Sequence, residues 1–109
     1  MSIEKRRYSR VATPIDGSWS GASGGSTCRI ADIGWGGCFI NTLAMAEAGE
    51  RTKVTLKVDG QVVALHGTVV NPVRTMGFAV EFDPFTRAQI AALTPLLGEP
   101  PPDLEETAQ

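Results

Sequence analysis

The sequence predicts a mainly β fold: a six-stranded antiparallel barrel with one C-terminal α-helix. Three observations carry it. Lys53–Val58 alternates with period two and runs into Asp59-Gly60, the strongest two-residue hairpin signal a sequence offers. Apolar strand formers flank three glycines within four residues, Gly34, Gly36 and Gly37, as expected where one strand turns tightly into the next. Finally, Thr86 and Gln89 have the spacing of a helix capping box, with Phe85 and Ile90 placed as its hydrophobic staple. At 109 residues the chain is one small domain with a single modest core. About six strands and one helix in that length imply closure, which removes exposed sheet edges.

In chain order, Met1–Arg10 has little to bury and reads as a flexible basic arm. Residues 11–98 form the barrel and helix, and residues 99–109, with three consecutive prolines and four acids, read as a disordered tail. Val11–Ser20 is a weak strand with Ile15, Gly17 and Trp19 on one face, and Pro14 fits only its start or an edge. Residues 21–26 are a flexible glycine- and serine-rich turn. Thr27–Ile33 and Gly37–Thr42 are the strands on either side of the glycine turn. Leu43–Arg51 is a connection with a short helical turn over residues 43–47. After the Asp59-Gly60 hairpin, Gln61–Val70 is a long return strand in which Gly67 marks a bulge or bend, and Asn71-Pro72 ends it. Met76–Phe82 places Met76, Phe78, Val80 and Phe82 on one core face. The helix turns Ile90, Leu93 and Leu97 inward and kinks or stops at Pro95.

Composition narrows the function. No apolar run reaches the ~20 residues of a membrane span, and no apolar segment follows the charged N-terminus, so a cytoplasmic chain without a signal peptide is expected. Cys28 and Cys38 are too few for a disulfide scaffold, and the single histidine, His66, leaves no zinc set. Both thiols are expected to be reduced and partly buried. There is no nucleophile–base pair, metal-ligand set or phosphate loop, so an enzyme is not expected.

The net charge of −2 hides an asymmetry: the first ten residues carry +3 and the last eleven −4. A basic arm on an acidic body lacks the broad basic face of a nucleic-acid binder, and a barrel for single-stranded nucleic acid is the weakest of the readings considered. The asymmetry suits a small, compact anion. The arm uses arginines, Arg6, Arg7 and Arg10, around Tyr8. A guanidinium can grip phosphate or a guanine edge with two bonds and can stack on a ring. Asp32, just before the glycine turn, is a fixed acceptor. Trp35, within the turn, is a candidate to lean on a ligand, against the alternative of packing on a neighbour.

Taken together these residues resemble the PilZ domain, the bacterial receptor module for cyclic di-GMP, over roughly Arg6–Leu97. Its RxxxR motif is matched by Arg6 and Arg10. Its [D/N]xSxxG motif is matched by Asp32 and Gly37, with Gly34 where the family has serine. Gly67-Thr68-Val69-Val70 and Met76–Phe82 followed by a helix are also similar to the family. The resemblance implies a PilZ-like, split-barrel fold. It implies that Arg6 and Arg10 bond and stack on guanine and phosphate with Arg7 in support. Asp32 would accept from the N1/N2 edge of guanine. Gly37 would let the backbone approach the ligand, and Gly34 would give backbone contact without a hydroxyl. The function implied is a single-domain receptor or adaptor that orders its arm on cyclic di-GMP and signals to an effector protein in motility, polysaccharide, pilus or chemotaxis machinery. No cofactor, nucleic-acid polymer or membrane is involved in that reading, and the chain is a monomer or weak dimer. The alternative is a PilZ-fold adaptor that binds protein without the nucleotide.

Overall fold

The computed structural model describes Arg10, Val11 and residues 14–109. The strands are β1 Arg10–Val11, β2 Ile15–Gly21, β3 Gly24–Gly34, β4 Gly37–Asn41, β5 Arg51–Val58, β6 Gln61–Val73 and β7 Gly77–Phe82, followed by helices α1 Arg87–Leu97 and α2 Pro102–Thr107. Six strands form a closed antiparallel ring in the order β3-β2-β5-β6-β7-β4, with β4 returning to β3, and β1 is an extra strand on β3. Ile33 pairs with Cys38 of β4 on one side and Val11 of β1 on the other. The strand β1 therefore continues the line of β2, which meets β3 from Ile15↔Ile30 onward.

The core follows from strand alternation. Val54, Leu56 and Val58 point inward from β5, as predicted, and meet Ile30, Ile33, Ile40, Leu65, Val69, Phe78, Val80 and Leu93 in one cluster. Trp19 packs edge-on against Phe78, ring centroids 5.1 Å apart. Asp59 and Gly60 both take positive φ, 51° and 78°, which gives the tight hairpin their sequence signals. The helix α1 starts as predicted: Thr86 Oγ1 accepts from Gln89 N–H and the Gln89 side chain accepts from Thr86 N–H. It continues through Pro95 to Leu97, and Gly98 N–H closes it on the Thr94 carbonyl.

Several local expectations are corrected. The turn over 21–26 shrinks to Ala22-Ser23, because β2 and β3 stay paired to Gly21↔Gly24. Backbone groups need partners whether or not side chains are present. The connection after β4 forms no helical turn. The Glu50 carboxylate organises it, accepting from Glu47 N–H and from the N–H and hydroxyl of Ser23. Asn71-Pro72 does not end β6. The strand absorbs it as an irregularity between Val70 and Val73, with Asn71 at φ 48°. Gly67 is a close-approach position, where a Cβ would lie 2.3 Å from the Glu81 carbonyl oxygen. Met76 precedes β7 and is 57 % exposed, so the inward stripe begins at Phe78.

The segment 99–109, expected as a disordered tail, carries the short helix α2. Pro102 starts α2 and Asp103 lies in its first turn, both favourable at a helix N-terminus. Leu104 and Ala108 pack on the core, Gln109 N–H donates to the Phe85 carbonyl, and Arg87 N–H donates to the Gln109 carbonyl.

Candidate functional site

The site is built by one surplus residue in β3. Ile30 pairs with Ile40 and Asp32 with Phe39, so Ala31 is the extra residue of a bulge. Ile30 and Ile33, three apart, are both fully buried. A regular strand could not turn both inward. The bulge resolves the conflict and turns Asp32 to the outer wall, the re-aiming that bulges beside binding sites perform. The Ile-x-x-Ile spacing was the available sequence signal for it.

Arg10 is brought to Asp32 by β1. It pairs with Gly34, two residues beyond Asp32, so its side chain emerges on the same outer face. Arg10 Nη1 donates to Asp32 Oδ1 at 3.2 Å, and the two side chains are 11 % and 26 % exposed. The expected arm of residues 1–10 thus ends inside a strand: Arg10 is already seated on its carboxylate. Arg6 and Arg7 lie outside the described residues.

The strands β3 and β4 meet in the expected tight turn between Gly34 and Gly37, but its glycines are not needed for a left-handed backbone. The positive-φ glycines among the described residues are Gly24, Gly49, Gly60, Gly77 and Gly98, so Gly34, Gly36 and Gly37 do not serve a left-handed turn. Gly37 serves close approach. A Cβ there would stand 2.2 Å from the Val80 carbonyl oxygen and 3.3 Å from Arg10 Nη2. Its bare backbone lets β7 close on β4 and leaves room for the guanidinium. Gly34 is buried opposite Arg10.

Trp35 is buried. Its ring is 6 % exposed and packs edge-on against Phe85 at 5.9 Å. Of the two readings given for Trp35, the structure shows the packing on a neighbour: the indole is buried against Phe85 rather than offered to a ligand.

The remaining chemistry is structural. The Arg51 guanidinium forks onto both Asp83 carboxylate oxygens and also donates to Thr68 Oγ1 at 2.9 Å. That fork holds the Asp83 carboxyl below its ordinary range and stabilises the Arg51 cation. Cys28 and Cys38 are free thiols. Burial pushes Cys38 up to about 12 and Cys28, with Asp16 adding to the effect, up to about 11, so neither is a nucleophile near neutral pH. His66 is exposed on β6 beside Asp83, Thr86, Gln89 and Gln109. Among the described residues no group of His, Cys, Asp and Glu could hold a metal ion. No helix among them is long and apolar enough to cross a membrane.

The described residues thus form a closed barrel with the Arg10–Asp32 pair on its outer wall. The chain belongs to the PilZ domain family, whose model matches residues 4–99. That membership indicates a receptor-type module for cyclic di-GMP, in a class of ligand-binding and adaptor domains that are generally not enzymes. The fold is similar to the crystal structure of the PilZ domain of CeSA from a cellulose synthesizing bacterium. The TM-score is 0.65 and the identity 16 %, over 82 % of this chain and 94 % of that one. No curated protein sequence gives a significant match.

Proposed function

We propose that this chain binds cyclic di-GMP on the outer wall of its barrel and passes the signal to a protein partner. The observation that carries the reading is the Arg10–Asp32 pair at 3.2 Å beside Gly37. The last arginine of one family motif and the first residue and glycine of the other converge on one patch, although they are far apart in sequence. Each has a matching feature in the ligand. The guanidinium can bond phosphate or a guanine O6/N7 edge. Among the described residues Asp32 accepts through Oδ1, from Arg10, and its Oδ2 is the oxygen proposed to receive a guanine N1/N2 edge. Arg6 and Arg7 add cations close to it in sequence, and their ordering over the bound dinucleotide would create the surface a partner reads.

Calorimetric titration with cyclic di-GMP tests this. The wild-type chain is expected to bind and Arg10→Ala to lose binding, with a melting temperature lowered by the loss of one half-buried ion pair, about 1 kcal/mol. Wild-type protein that releases no heat at any ligand concentration would overturn the reading. One observation favours the second reading, an adaptor without nucleotide: Gly34 offers no hydroxyl where the family motif has serine. An effector captured equally well with and without cyclic di-GMP would support it.

A further inference from the structure

We infer that Phe39, with Ala79 beside it, forms the platform on which a purine base of the ligand stacks; the inference rests on the function proposed above. The register lays out the surface. Asp32 of β3 pairs with Phe39 of β4, Phe39 with Ala79 of β7, and Ala79 with Val70 of β6. Directly paired residues share a face. The neighbours of this row, Ile33, Cys38, Ile40, Phe78, Val80 and Val69, all point into the core. The row itself therefore lies on the outside.

It reads, across four adjacent strands, as a carboxylate followed by an aromatic ring, a methyl and an isopropyl group. Phe39 and Val70 are half-buried and neither belongs to the core cluster. Ala79 is buried between them, 6 % exposed, so the base would rest on Phe39 with the Ala79 methyl beneath. Gly37 and Gly77 flank the row on either side, paired with Glu81 and Asn41, so no side chain rises from either position. The three strands β4, β7 and β6 span about 10 Å at ordinary strand spacing, enough for one purine lying flat.

The carboxylate stands at one end of this platform, in the same row. A base resting on Phe39 would present its edge to Asp32, so stacking and the edge hydrogen bond come from one pose. Arg10, bonded to Asp32 and close to Gly37, supplies the cation for the phosphate at the same end. Glu81, exposed on the far side of Gly37, disfavours phosphate there and fixes which way the backbone of the ligand runs. Phe39 thus takes the stacking role that the buried Trp35 cannot.

The test compares Phe39→Leu and Phe39→Tyr with wild type by calorimetry with cyclic di-GMP, alongside thermal melts and the NMR signal of the Ala79 methyl. Loss of a base–aromatic stack weakens binding about tenfold or more. Phe39→Leu is expected to show that loss at a nearly unchanged melting temperature, and Phe39→Tyr to bind within about threefold of wild type. The Ala79 methyl is expected to move upfield on saturation, as the ring current of an overlying base requires. A wild-type chain that binds, loses binding in Arg10→Ala, yet binds equally well as Phe39→Leu would overturn the platform and leave the proposed function standing. An Ala79 methyl unmoved at saturation would do the same. Absence of wild-type binding would overturn both.

Discussion

Gly37 faces Val80 at a separation that admits no side chain: a Cβ would lie 2.2 Å from the Val80 carbonyl oxygen. Backbone cannot step aside as a flexible side-chain end can, because Cys38↔Val80 and Gly37↔Glu81 fix the two strands together. Gly37→Ala is therefore expected to lose about 2–4 kcal/mol in denaturant unfolding. Gly49 provides the contrast, with open space around its Cβ position and a φ of 90°. Gly49→Ala is expected to cost only about 1–2 kcal/mol, the left-handed penalty alone. Equal losses in the two variants would show that β4 and β7 can spread.

Deleting Ala31 separates the barrel from the site. With Ala31 gone, Ile30 and Ile33 still point inward and Asp32 still faces out, in a ladder with no surplus residue. What changes is the local twist of β3 and the spacing across to β1. The deletion variant is expected to fold, with a cooperative melt, and to bind cyclic di-GMP about tenfold more weakly because Arg10 no longer meets Asp32 as it does now. Unchanged affinity in this variant would show that the bulge does not aim the carboxylate.

How legible this molecule was from its sequence differs by feature. The hairpin at Asp59-Gly60, the inward run of β5 and the capping box at Thr86 were readable because short-range physics decides each of them. The closed ring followed from the strand count and from the need to cover edges. Arg10 and Asp32 were readable as residue types suited to an anion and a base edge, but their contact depends on β1 pairing with β3, a long-range choice. Trp35 could not be decided between ligand and neighbour because a turn fixes a side chain's direction through tertiary packing, here against Phe85. The helix α2 was not legible for a related reason: composition registers the tail's prolines and acids, whereas Leu104 and the Gln109–Phe85 bond act through a surface that exists only after the barrel forms.

Glu50 gives an expected pH dependence. Its carboxylate accepts from Ser23 N–H at 2.8 Å, Ser23 Oγ at 2.7 Å and Glu47 N–H at 3.1 Å, and these bonds hold its pKa below the ordinary value. A carboxyl group with a depressed folded pKa stabilises the fold fully above its unfolded pKa. That contribution is lost as pH falls through the folded value. Glu50→Gln is therefore expected to melt about 2–4 °C below wild type at pH 7, with the gap closing as the solution is acidified below the carboxylate range. A gap that persists unchanged under acid would mean that the glutamine loses shape complementarity rather than charge.

Gly34 decides how far the family's chemistry carries over. It pairs with Arg10 on the outer wall, one alternation beyond Asp32, and its backbone is not in the left-handed region, so a serine there meets no conformational penalty of that kind. A restored hydroxyl would stand beside Arg10, its cross-strand partner, and could donate to the ligand. One such hydrogen bond contributes roughly 0.5–1.5 kcal/mol, or about three- to tenfold in affinity. Gly34→Ser is expected to tighten cyclic di-GMP binding by that factor in calorimetry, at an unchanged melting temperature. A serine variant that binds no better would show that Arg10 and Asp32 already meet the ligand's polar edge without help from position 34.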